Sequence, residues 1–304
     1  MLSVTFLGTA AACPTVDRNV SGLAVHREGE MMLFDCGEGT QRQMMRYGVG
    51  FSFREIFLTH YHSDHILGIT GLVRTLGLMD RQDEVVIYGP RPADRIISTL
   101  LSVGIERTKF QVEVIEVKPG DRLKRPDYEI QVFGTDHRAD TVGYGLVEYD
   151  RLGRFNPEQA KELGIPEGPM WGKIHKGESI HLPDGRIISP AELVGPPRPG
   201  RKLVYPGDTR PCKSVLEAAH GADLLVHEAT FGEYERVRAQ ETGHSTARQA
   251  ADVARMAGAK RLVLTHISAR YSREAPEIAA EAQSVFPASQ VARDGMQVDV
   301  PFVV

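Results

Sequence analysis

The stretch Ile56-Phe57-Leu58-Thr59-His60-Tyr61-His62-Ser63-Asp64-His65 places three histidines and an aspartate directly after an apolar run. The run is rich in residues that favour β-strands. From Ser63 onward the apolar residues recur with the period of a helix. The stretch therefore predicts a strand-loop-helix junction, with Ser63 or Asp64 capping the helix. So many nitrogen and oxygen ligands at one junction predict a metal centre.

The composition is that of an ordinary globular protein, with 304 residues, 41% of them hydrophobic and 25% charged. A net charge of −4 excludes a globally basic nucleic-acid binder, so any contact with RNA has to come from a local patch. No run approaches the roughly 20 apolar residues of a membrane span. Three cysteines without metal-type spacing, Cys13, Cys36 and Cys212, predict a reducing compartment. We therefore expect a cytoplasmic protein with no membrane contact.

Four later apolar runs also end in residues that can bind a metal. These residues are His137, Asp208, His227 and His266. The loops that follow strands in α/β folds gather into sites, so these side chains are expected to meet the first cluster. His227 is the least clear of them, because it can either support a ligand or simply pack in the core.

The predicted ligand set has seven members: His60, His62, Asp64, His65, His137, Asp208 and His266. Seven ligands exceed what one tetrahedral ion takes, whereas two ions about 3.5–4 Å apart would use them all. Histidine and carboxylate without cysteine favour two Zn²⁺ per subunit, although Mn²⁺, Fe²⁺ and Co²⁺ accept the same ligands. Such a pair of ions activates water and stabilises charge on a phosphoryl group. The set therefore predicts a hydrolase, and phosphodiester cleavage fits it best.

The segment from about 150 to 200 differs from the rest of the chain. Proline and glycine recur in it, and long apolar runs disappear. Nine lysines and arginines face seven acids over residues 150–202, so the segment is mildly basic in an acidic chain. We predict an inserted flexible arm within a single domain that spans 1–304. A disordered linker is the simpler alternative, against which Trp171, the only tryptophan, argues for some local packing.

The motif from Thr59 to His65 resembles the HxHxDH signature of the metallo-β-lactamase superfamily. The resemblance implies an α/β fold, the four-layer αββα sandwich of that superfamily, from which the arm protrudes. It also implies a distribution of the ligands. One zinc would be held by His60, His62 and His137, the other by Asp64, His65 and His266, with Asp208 bridging the two.

Three later motifs resemble the ribonuclease Z family of transfer-RNA 3′-processing endonucleases. They are His227-Glu228-Ala229-Thr230, His244-Ser245-Thr246 and, in the arm, Gly164-Ile-Pro166-Glu-Gly168-Pro169. The resemblance implies a zinc-dependent endoribonuclease that removes the 3′ trailer from precursor tRNA and leaves a 3′-hydroxyl. It further implies a homodimer and an arm that docks the tRNA, with Gly168 and Pro169 among its contacts.

The same resemblance suggests roles for individual residues. His244 would be the general acid for the leaving 3′ oxygen, oriented by Glu228, and Asp64 would also orient the attacking hydroxide. Phosphate contacts would come from Ser245, Thr246 and the amides of the following helix. The loop Pro14-Thr-Val16-Asp-Arg18-Asn19 resembles the family pattern P-x-K-x-R-N, which implies substrate contacts by Arg18 and Asn19. Val16 stands where the family has lysine, so the treatment of a 3′ CCA end is left open.

Two other function classes compete with the endonuclease. One is a small-molecule hydrolase of the same superfamily, such as a broad-specificity metal-dependent phosphodiesterase, a thioesterase or a lactamase. The other is a non-catalytic RNA-binding module, which the complete ligand set disfavours. The three later motifs favour the endonuclease over both.

Overall fold

The structure, a computed structural model, describes residues 1–105, 108–271 and 274–302. Its contacts divide it into two compact units. The core unit comprises Met1–Val147 and Lys202–Pro301, and the arm unit comprises Glu148–Arg201 with Phe302. Among the described residues, every helix is too short or too polar to cross a membrane.

The first part of the core unit alternates strands with helices. In chain order its elements are β1 (Leu2–Gly8), β2 (Gly22–Arg27), β3 (Glu30–Phe34), α1 (Thr40–Arg46), β4 (Glu55–Phe57), α2 (Ser63–Ile66), α3 (Gly68–Leu78), β5 (Val85–Gly89), α4 (Ala93–Ser102), β6 (Val112–Glu116), β7 (Arg122–Lys124), β8 (Tyr128–Gly134) and β9 (Val142–Glu148).

The arm unit interrupts this alternation, which then resumes. The arm elements are α5 (Pro157–Glu162), α6 (Pro169–His175), β10 (Ile180–His181), β11 (Ile187–Ile188) and α7 (Pro190–Leu193). The core unit continues with β12 (Lys202–Tyr205), α8 (Lys213–Ala219), β13 (Leu224–Glu228), a 3-10 turn (Glu233–Glu235), α9 (Arg236–Thr242), α10 (Ala247–Ala257), β14 (Leu262–Thr265), α11 (Pro276–Val285), β15 (Ser289–Val291) and β16 (Gln297–Asp299).

The strands of the core unit form two seven-stranded sheets. The first has the order β16-β1-β2-β3-β4-β5-β6 and the second the order β15-β14-β13-β12-β9-β8-β7. Each contains a run of four parallel strands, β3 to β6 in the first and β12 to β15 in the second. The two runs place the carboxyl ends of several strands at one edge of each sheet, which is where α/β folds build sites.

The two sheets pack face to face, with helices on both outer faces. Alternation along the strands shows this directly, because successive side chains point to opposite faces. Phe6 belongs to the apolar cluster between the sheets, and Leu7 to the cluster under α1, α3 and α4. Val226 likewise faces the inner cluster, and Leu225 the cluster under α8, α10 and α11. The predicted four-layer αββα sandwich is thus observed.

The helix predicted to start at Ser63 differs from the expectation. It is broken at Leu67 into α2 and α3, and its N-cap is His62, so the predicted cap by Ser63 or Asp64 is wrong. The break brings the backbone against the loop after β3, since Gly68 N donates to Cys36 O over 2.9 Å. A Cβ at Gly68 would lie 2.0 Å from Gly37 O, so only glycine fits this approach.

The arm unit has a small core of its own. Seven buried apolar residues form it: Ala160, Ile165, Ile174, Ile180, Leu182, Ile188 and Leu193. Trp171 packs against this cluster with its ring centroid 5.1 Å from that of Phe155, and its indole nitrogen donates to Ile165 O. The short helices escape sequence prediction because none exceeds seven residues.

Candidate metal centre and catalytic histidine

The predicted ligands of the core unit come together at the ends of strands from both sheets. His60 and His62 follow β4 of the first sheet, and Asp64 and His65 lie in α2. The second sheet contributes the other three, His137 after β8, Asp208 after β12 and His266 after β14. These side chains lie close together because the chain leaves each strand at the same edge of its sheet.

The seven residues form two neighbouring groups of atoms that could hold a metal. Within each group one nitrogen or oxygen per residue lies within 4.8 Å of the others. The first group is His60, His62, His137 and Asp208, and the second is Asp64, His65 and His266. Asp208 stands between them, with Oδ2 3.4 Å from His65 Nε2 and Oδ1 3.4 Å from His266 Nε2. How these residues divide between two ions stays a prediction of the family resemblance.

The nitrogen atoms of the first group converge tightly. His62 Nδ1 lies 2.9 Å from His60 Nε2 and 3.2 Å from His137 Nε2. Those separations are close to what two ligands show when each binds one ion at about 2.0–2.1 Å. Burial lowers the pKa of His60 well below its usual value, with the neighbouring His65 adding to the effect. A neutral imidazole is the form that binds a metal.

Four of the histidines are oriented by a partner on their other nitrogen. In each of them Nδ1 lies 2.7–3.0 Å from a polar atom. The pairs are His60 with Thr59 Oγ1, His65 with Asp35 Oδ2, His137 with Gly243 O, and His266 with Thr230 Oγ1. Each partner leaves Nε2 to face the centre, which is the arrangement that metal-binding histidines show in proteins. The donor set therefore fits divalent metal ions.

Asp208 carries the strongest sign that a cation belongs here. Its side chain is 3% exposed, and among the described residues its Oδ1 atom has no hydrogen-bond partner. A buried acceptor without a partner is costly unless a cation satisfies it. Burial by itself would raise the pKa of Asp208, but the surrounding histidines, His266 and His65 first, hold it well below its usual value.

Asp64 is fixed on two sides. Its Oδ2 atom accepts a hydrogen bond from Ala12 N over 2.8 Å and lies 3.3 Å from His266 Nε2. Burial opposes ionisation, but the hydrogen bond with His266 and the charge of His65 lower the pKa of Asp64 below its usual value. Asp64 thus presents a carboxylate beside the second ligand group.

His244 lies next to the ligand groups and is held by Glu228. The His244 Nδ1 atom is 2.9 Å from Glu228 Oε1, and the same carboxylate accepts hydrogen bonds from Thr209 N, Thr230 N and Thr230 Oγ1. Burial lowers the pKa of His244, but the Glu228 carboxylate outweighs it and raises the pKa to about 9. His244 can also join Asp208 and His266 in a third group of close atoms. The bond from Nδ1 to Glu228 leaves Nε2 to carry a transferable proton.

The predicted substrate-binding residues lie outside this cluster. Ser245 and Thr246 are buried, and Ser245 Oγ donates to Thr209 O. Thr246 forms a capping box with Gln249 at the start of α10, so the chain itself satisfies this helix terminus. This environment favours a structural role, and a phosphate contact by the pair stays a prediction.

Arg18 and Asn19 are likewise held by internal partners. The Arg18 side chain is 4% exposed, and Nη1 donates to Thr9 Oγ1 and Ala292 O, both over 2.7 Å. Asn19 Nδ2 donates to Glu38 O. Gly168 and Pro169, by contrast, are exposed at the start of α6 in the arm unit. Direct substrate contact by these four residues is untested by the structure.

His227 takes no part in the ligand groups. β13 runs through Glu228, so His227 and Glu228 both lie inside it and point to opposite faces. Glu228 faces the site, whereas the fully buried His227 donates from Nδ1 to Glu228 O over 2.7 Å. His227 is therefore buried in the core.

Asp35 is the functional residue that sequence reasoning did not assign. Its carboxylate accepts from Thr59 N, lies 2.8 Å from His65 Nδ1 and accepts from Tyr205 OH over 2.8 Å. Asp35 and the predicted ligand His266 both have a φ of 56°, in the left-handed region that non-glycine residues seldom adopt. The signal was available, because Asp35 directly follows the apolar strand β3, as the assigned ligands follow theirs.

Comparisons with known proteins agree with this geometry. A family model described as the anti-Pycsar protein Apyc1 matches residues 2–153, and one described as a beta-lactamase superfamily domain matches residues 192–267. The chain is 56% identical to the ribonuclease Z of Gemmatimonas aurantiaca over 301 residues, covering 98% of this chain and 96% of that protein. It is 50% identical to the ribonuclease Z of Haloferax volcanii, covering 99% and 96%.

A solved structure of lower sequence identity points to the same family. The short form of human tRNase Z is 28% identical and superposes with a TM-score of 0.73, covering 99% of this chain and 100% of that one. Identities near one half over almost the whole chain agree with the two neighbouring groups of potential metal ligands at the strand ends. The chain belongs to the ribonuclease Z family of the metallo-β-lactamase superfamily.

Proposed function

We propose that this chain is an endoribonuclease that removes the 3′ trailer from precursor tRNA. The observation that carries the proposal is a phosphodiesterase-type site in a chain 56% identical to a ribonuclease Z. That site joins two ligand groups at Asp208, with the His244–Glu228 pair beside them. The reaction breaks the bond between phosphorus and the 3′ oxygen, leaving a 3′-hydroxyl on the tRNA and a 5′-phosphate on the trailer.

Two divalent cations, Zn²⁺ first among them, belong to the proposal. His60, His62 and His137 would hold one, and Asp64, His65 and His266 the other, with Asp208 shared. When bound, such a pair supplies an activated water and offsets the charge of a phosphoryl group. Mn²⁺, Fe²⁺ and Co²⁺ suit the same nitrogen and oxygen ligands.

The chain's own groups supply the remaining steps. His244 donates its Nε2 proton to the leaving 3′ oxygen, and the Glu228 carboxylate holds the ring through Nδ1 while that proton moves. Asp64, whose carboxylate is fixed by Ala12 N, would orient the attacking water. A high pKa for His244 supports this division, because an acid must be protonated before the reaction.

RNA recognition is assigned to the arm unit. Its exposed Gly168 and Pro169 and its mildly basic composition suit a surface that reads the shape and phosphates of folded RNA rather than base edges. A homodimer and a cytoplasmic location belong to the same proposal and rest on the family resemblance and the composition.

The test is cleavage of precursor tRNAs with and without an encoded CCA, mapped to the nucleotide. We expect a single cut at the 3′ end of the tRNA, a 3′-hydroxyl and a 5′-phosphate. Asp208→Asn serves as the inactive control. Turnover of small phosphodiesters without any cut in precursor tRNA would favour the small-molecule phosphodiesterase instead, and a 3′-phosphate product would contradict the role of His244.

A further inference from the structure

Arg210 lies two residues after the predicted ligand Asp208 and belongs to neither of the two ligand groups. Its backbone nitrogen donates to Asp136 O over 2.7 Å, and its Nη1 atom donates to Asp136 Oδ1 over 2.9 Å. Asp136 directly precedes the predicted ligand His137. Arg210 therefore joins the loop after β12 to the loop after β8, with its backbone and with its side chain.

The Arg210 guanidinium also reaches the end of α9. Its Nε atom donates to Gln240 O over 2.8 Å. The last four carbonyl groups of a helix have no partner within it, and Gln240 supplies one of them in α9. A guanidinium is planar and holds its donors in a fixed fork, so the bonds from Nε and Nη1 fix Gln240 O relative to Asp136. We call the Arg210 side chain with these two partners the Arg210 clamp.

The end of α9 fixes the backbone of His244. Ala239 O accepts hydrogen bonds from Gly243 N over 3.0 Å and from His244 N over 2.8 Å. Gly243 ends the helix with a φ of 87°, in the left-handed region that glycine adopts without strain. The position of α9 therefore determines where the His244 side chain starts.

Gly243 also contacts the loop after β8 directly. Its carbonyl accepts a hydrogen bond from His137 Nδ1 over 2.7 Å. A Cβ on Gly243 would lie 2.8 Å from that nitrogen and 3.1 Å from Arg138 Cγ, so the close approach also favours glycine. The rings of His137 and His244 lie side by side, with centroids 4.9 Å apart. The Arg210 clamp thus joins the same two segments that carry a predicted ligand and the proposed acid.

The clamp should contribute little to stability. The Arg210 side chain is 19% exposed and that of Asp136 is 51% exposed, and an ion pair so open to water stabilises a fold only weakly. Other bonds hold the neighbouring backbone, because Thr209 Oγ1 accepts from Asp136 N and Thr209 O accepts from Ser245 Oγ. The guanidinium adds the direct bond to α9, which bears on position more than on stability.

We propose that Arg210 is a positioning residue for the reaction. Its clamp keeps the His244 imidazole where the Nε2 proton can pass to the leaving 3′ oxygen. The inference rests on the proposed function, in which His244 is the general acid. Misplacing a reacting group by about 1 Å can cost on the order of 10²-fold in rate, so a clamp that adds little stability can still matter for catalysis.

The experiment measures kcat and KM for precursor tRNA with Arg210→Gln, which removes the charge and the fork of donors. We expect kcat to fall roughly tenfold with KM unchanged. Cleavage of bis(p-nitrophenyl) phosphate should change little, because nitrophenolate leaves without a proton. Arg210→Lys keeps a charged donor and should recover part of the lost rate. Arg255→Gln is the matched control, because Arg255 also pairs with an aspartate, Asp252, over 2.9 Å. It should leave both substrates unaffected.

A second measurement separates positioning of His244 from general loosening of the site. In a His244→Ala background, Arg210→Gln should cause no further loss, because the group that Arg210 positions is absent. A further fall of roughly tenfold in that background would overturn the inference, since independent effects add. Thermal unfolding and metal content check the fold of each variant. If Arg210→Gln does not fold, Arg210→Lys and Asp136→Ala take its place in both backgrounds.

Failure of the proposed function would look different from failure of this inference. A parent protein that does not cleave precursor tRNA contradicts the proposed function. Equal losses for both substrates in His244→Ala contradict the acid role on which the inference rests. If His244→Ala slows RNA selectively while Arg210→Gln cleaves RNA as fast as the parent, only the positioning role of Arg210 is contradicted.

Discussion

The core unit and the arm unit use their residues differently. The core unit buries charged and polar groups at the ends of strands, where Asp208, His60 and His65 are at most 3% exposed. The arm unit buries seven apolar residues and leaves Gly168 and Pro169 in solvent. Chemistry needs fixed, desolvated groups, whereas docking of a large RNA needs accessible surface. The comparison predicts that loss of the shared carboxylate in the core unit slows cleavage of every substrate, whereas changes in the arm unit slow cleavage of RNA only.

The largest effect should come from Asp208. Asp208→Asn keeps the size of the side chain but removes the charge shared by the two ligand groups. We expect cleavage of precursor tRNA and of bis(p-nitrophenyl) phosphate each to fall on the order of 10³-fold or more, with loss of bound metal. Steady-state rates and metal analysis of the same preparations measure this. Full metal content with a loss confined to RNA would argue against the shared-ligand position.

His244→Ala should slow the two substrates to different extents, because their leaving groups differ in their need for a proton. Loss of a general acid costs about 10²–10⁴-fold when the leaving oxygen needs a proton, as the RNA 3′ oxygen does. Nitrophenolate leaves without one, so its release should be affected far less. His220→Ala is the matched control, because His220 is exposed at the end of α8. Equal losses for both substrates would favour a ligand role for His244 over an acid role.

Glu228→Gln should change the pH profile of RNA cleavage. The Glu228 carboxylate outweighs burial and raises the pKa of His244 to about 9. An acid with a raised pKa is active below that pKa and loses activity as the pH rises through it. Removing the charge lowers the pKa, so the alkaline limb should move to lower pH, with a rate loss of about 10–100-fold at neutral pH. If the alkaline limb of the variant's pH profile stays at the pH of the parent enzyme, the His244–Glu228 pair is not the group that titrates.

Ile174→Ala should have the smallest effect, because it destabilises only the arm unit. Ile174 is fully buried in the small cluster, so its truncation costs about 2–5 kcal/mol of local stability. We expect the KM for precursor tRNA to rise roughly tenfold, since an arm that unfolds more often binds less often. Ile187→Ala, on the same unit but 59% exposed, is the control. Steady-state kinetics with precursor tRNA and with the small diester measure the effect. Slower cleavage of the small diester would contradict the claim that the arm unit acts on RNA alone.

Much of the site was predictable because ligands follow strands in sequence. The apolar runs before His60, His137, Asp208 and His266 marked the strands, and the family resemblance, confirmed by the relatives, supplied the grouping. Long-range contacts were not predictable in this way. That His65 is oriented by Asp35, 30 residues earlier, depends on how β3 and β4 pair.

Buried polar residues are harder to assign from a motif. Arg18, Ser245 and Thr246 belong to motifs that imply substrate contact, and in the structure each makes internal hydrogen bonds. Their contacts with substrate stay predictions. The break at Leu67 also escaped prediction, because apolar periodicity continues across it and only the contact of Gly68 with Gly37 explains it. Local pattern thus predicts elements and ligands, while tertiary contacts determine which polar groups remain available.

Replacing residues 155–195 by a short glycine linker tests the division of labour most directly. The ends lie close together, because Arg154 O accepts a hydrogen bond from Gly195 N over 2.9 Å. The measurement is kcat/KM for precursor tRNA beside kcat/KM for bis(p-nitrophenyl) phosphate, at equal metal content. We predict a fall of about 100-fold or more for the RNA, which corresponds to about 2.7 kcal/mol, and little change for the small diester. Equal loss of both activities with fold and metals intact would contradict the assignment of RNA docking to the arm unit.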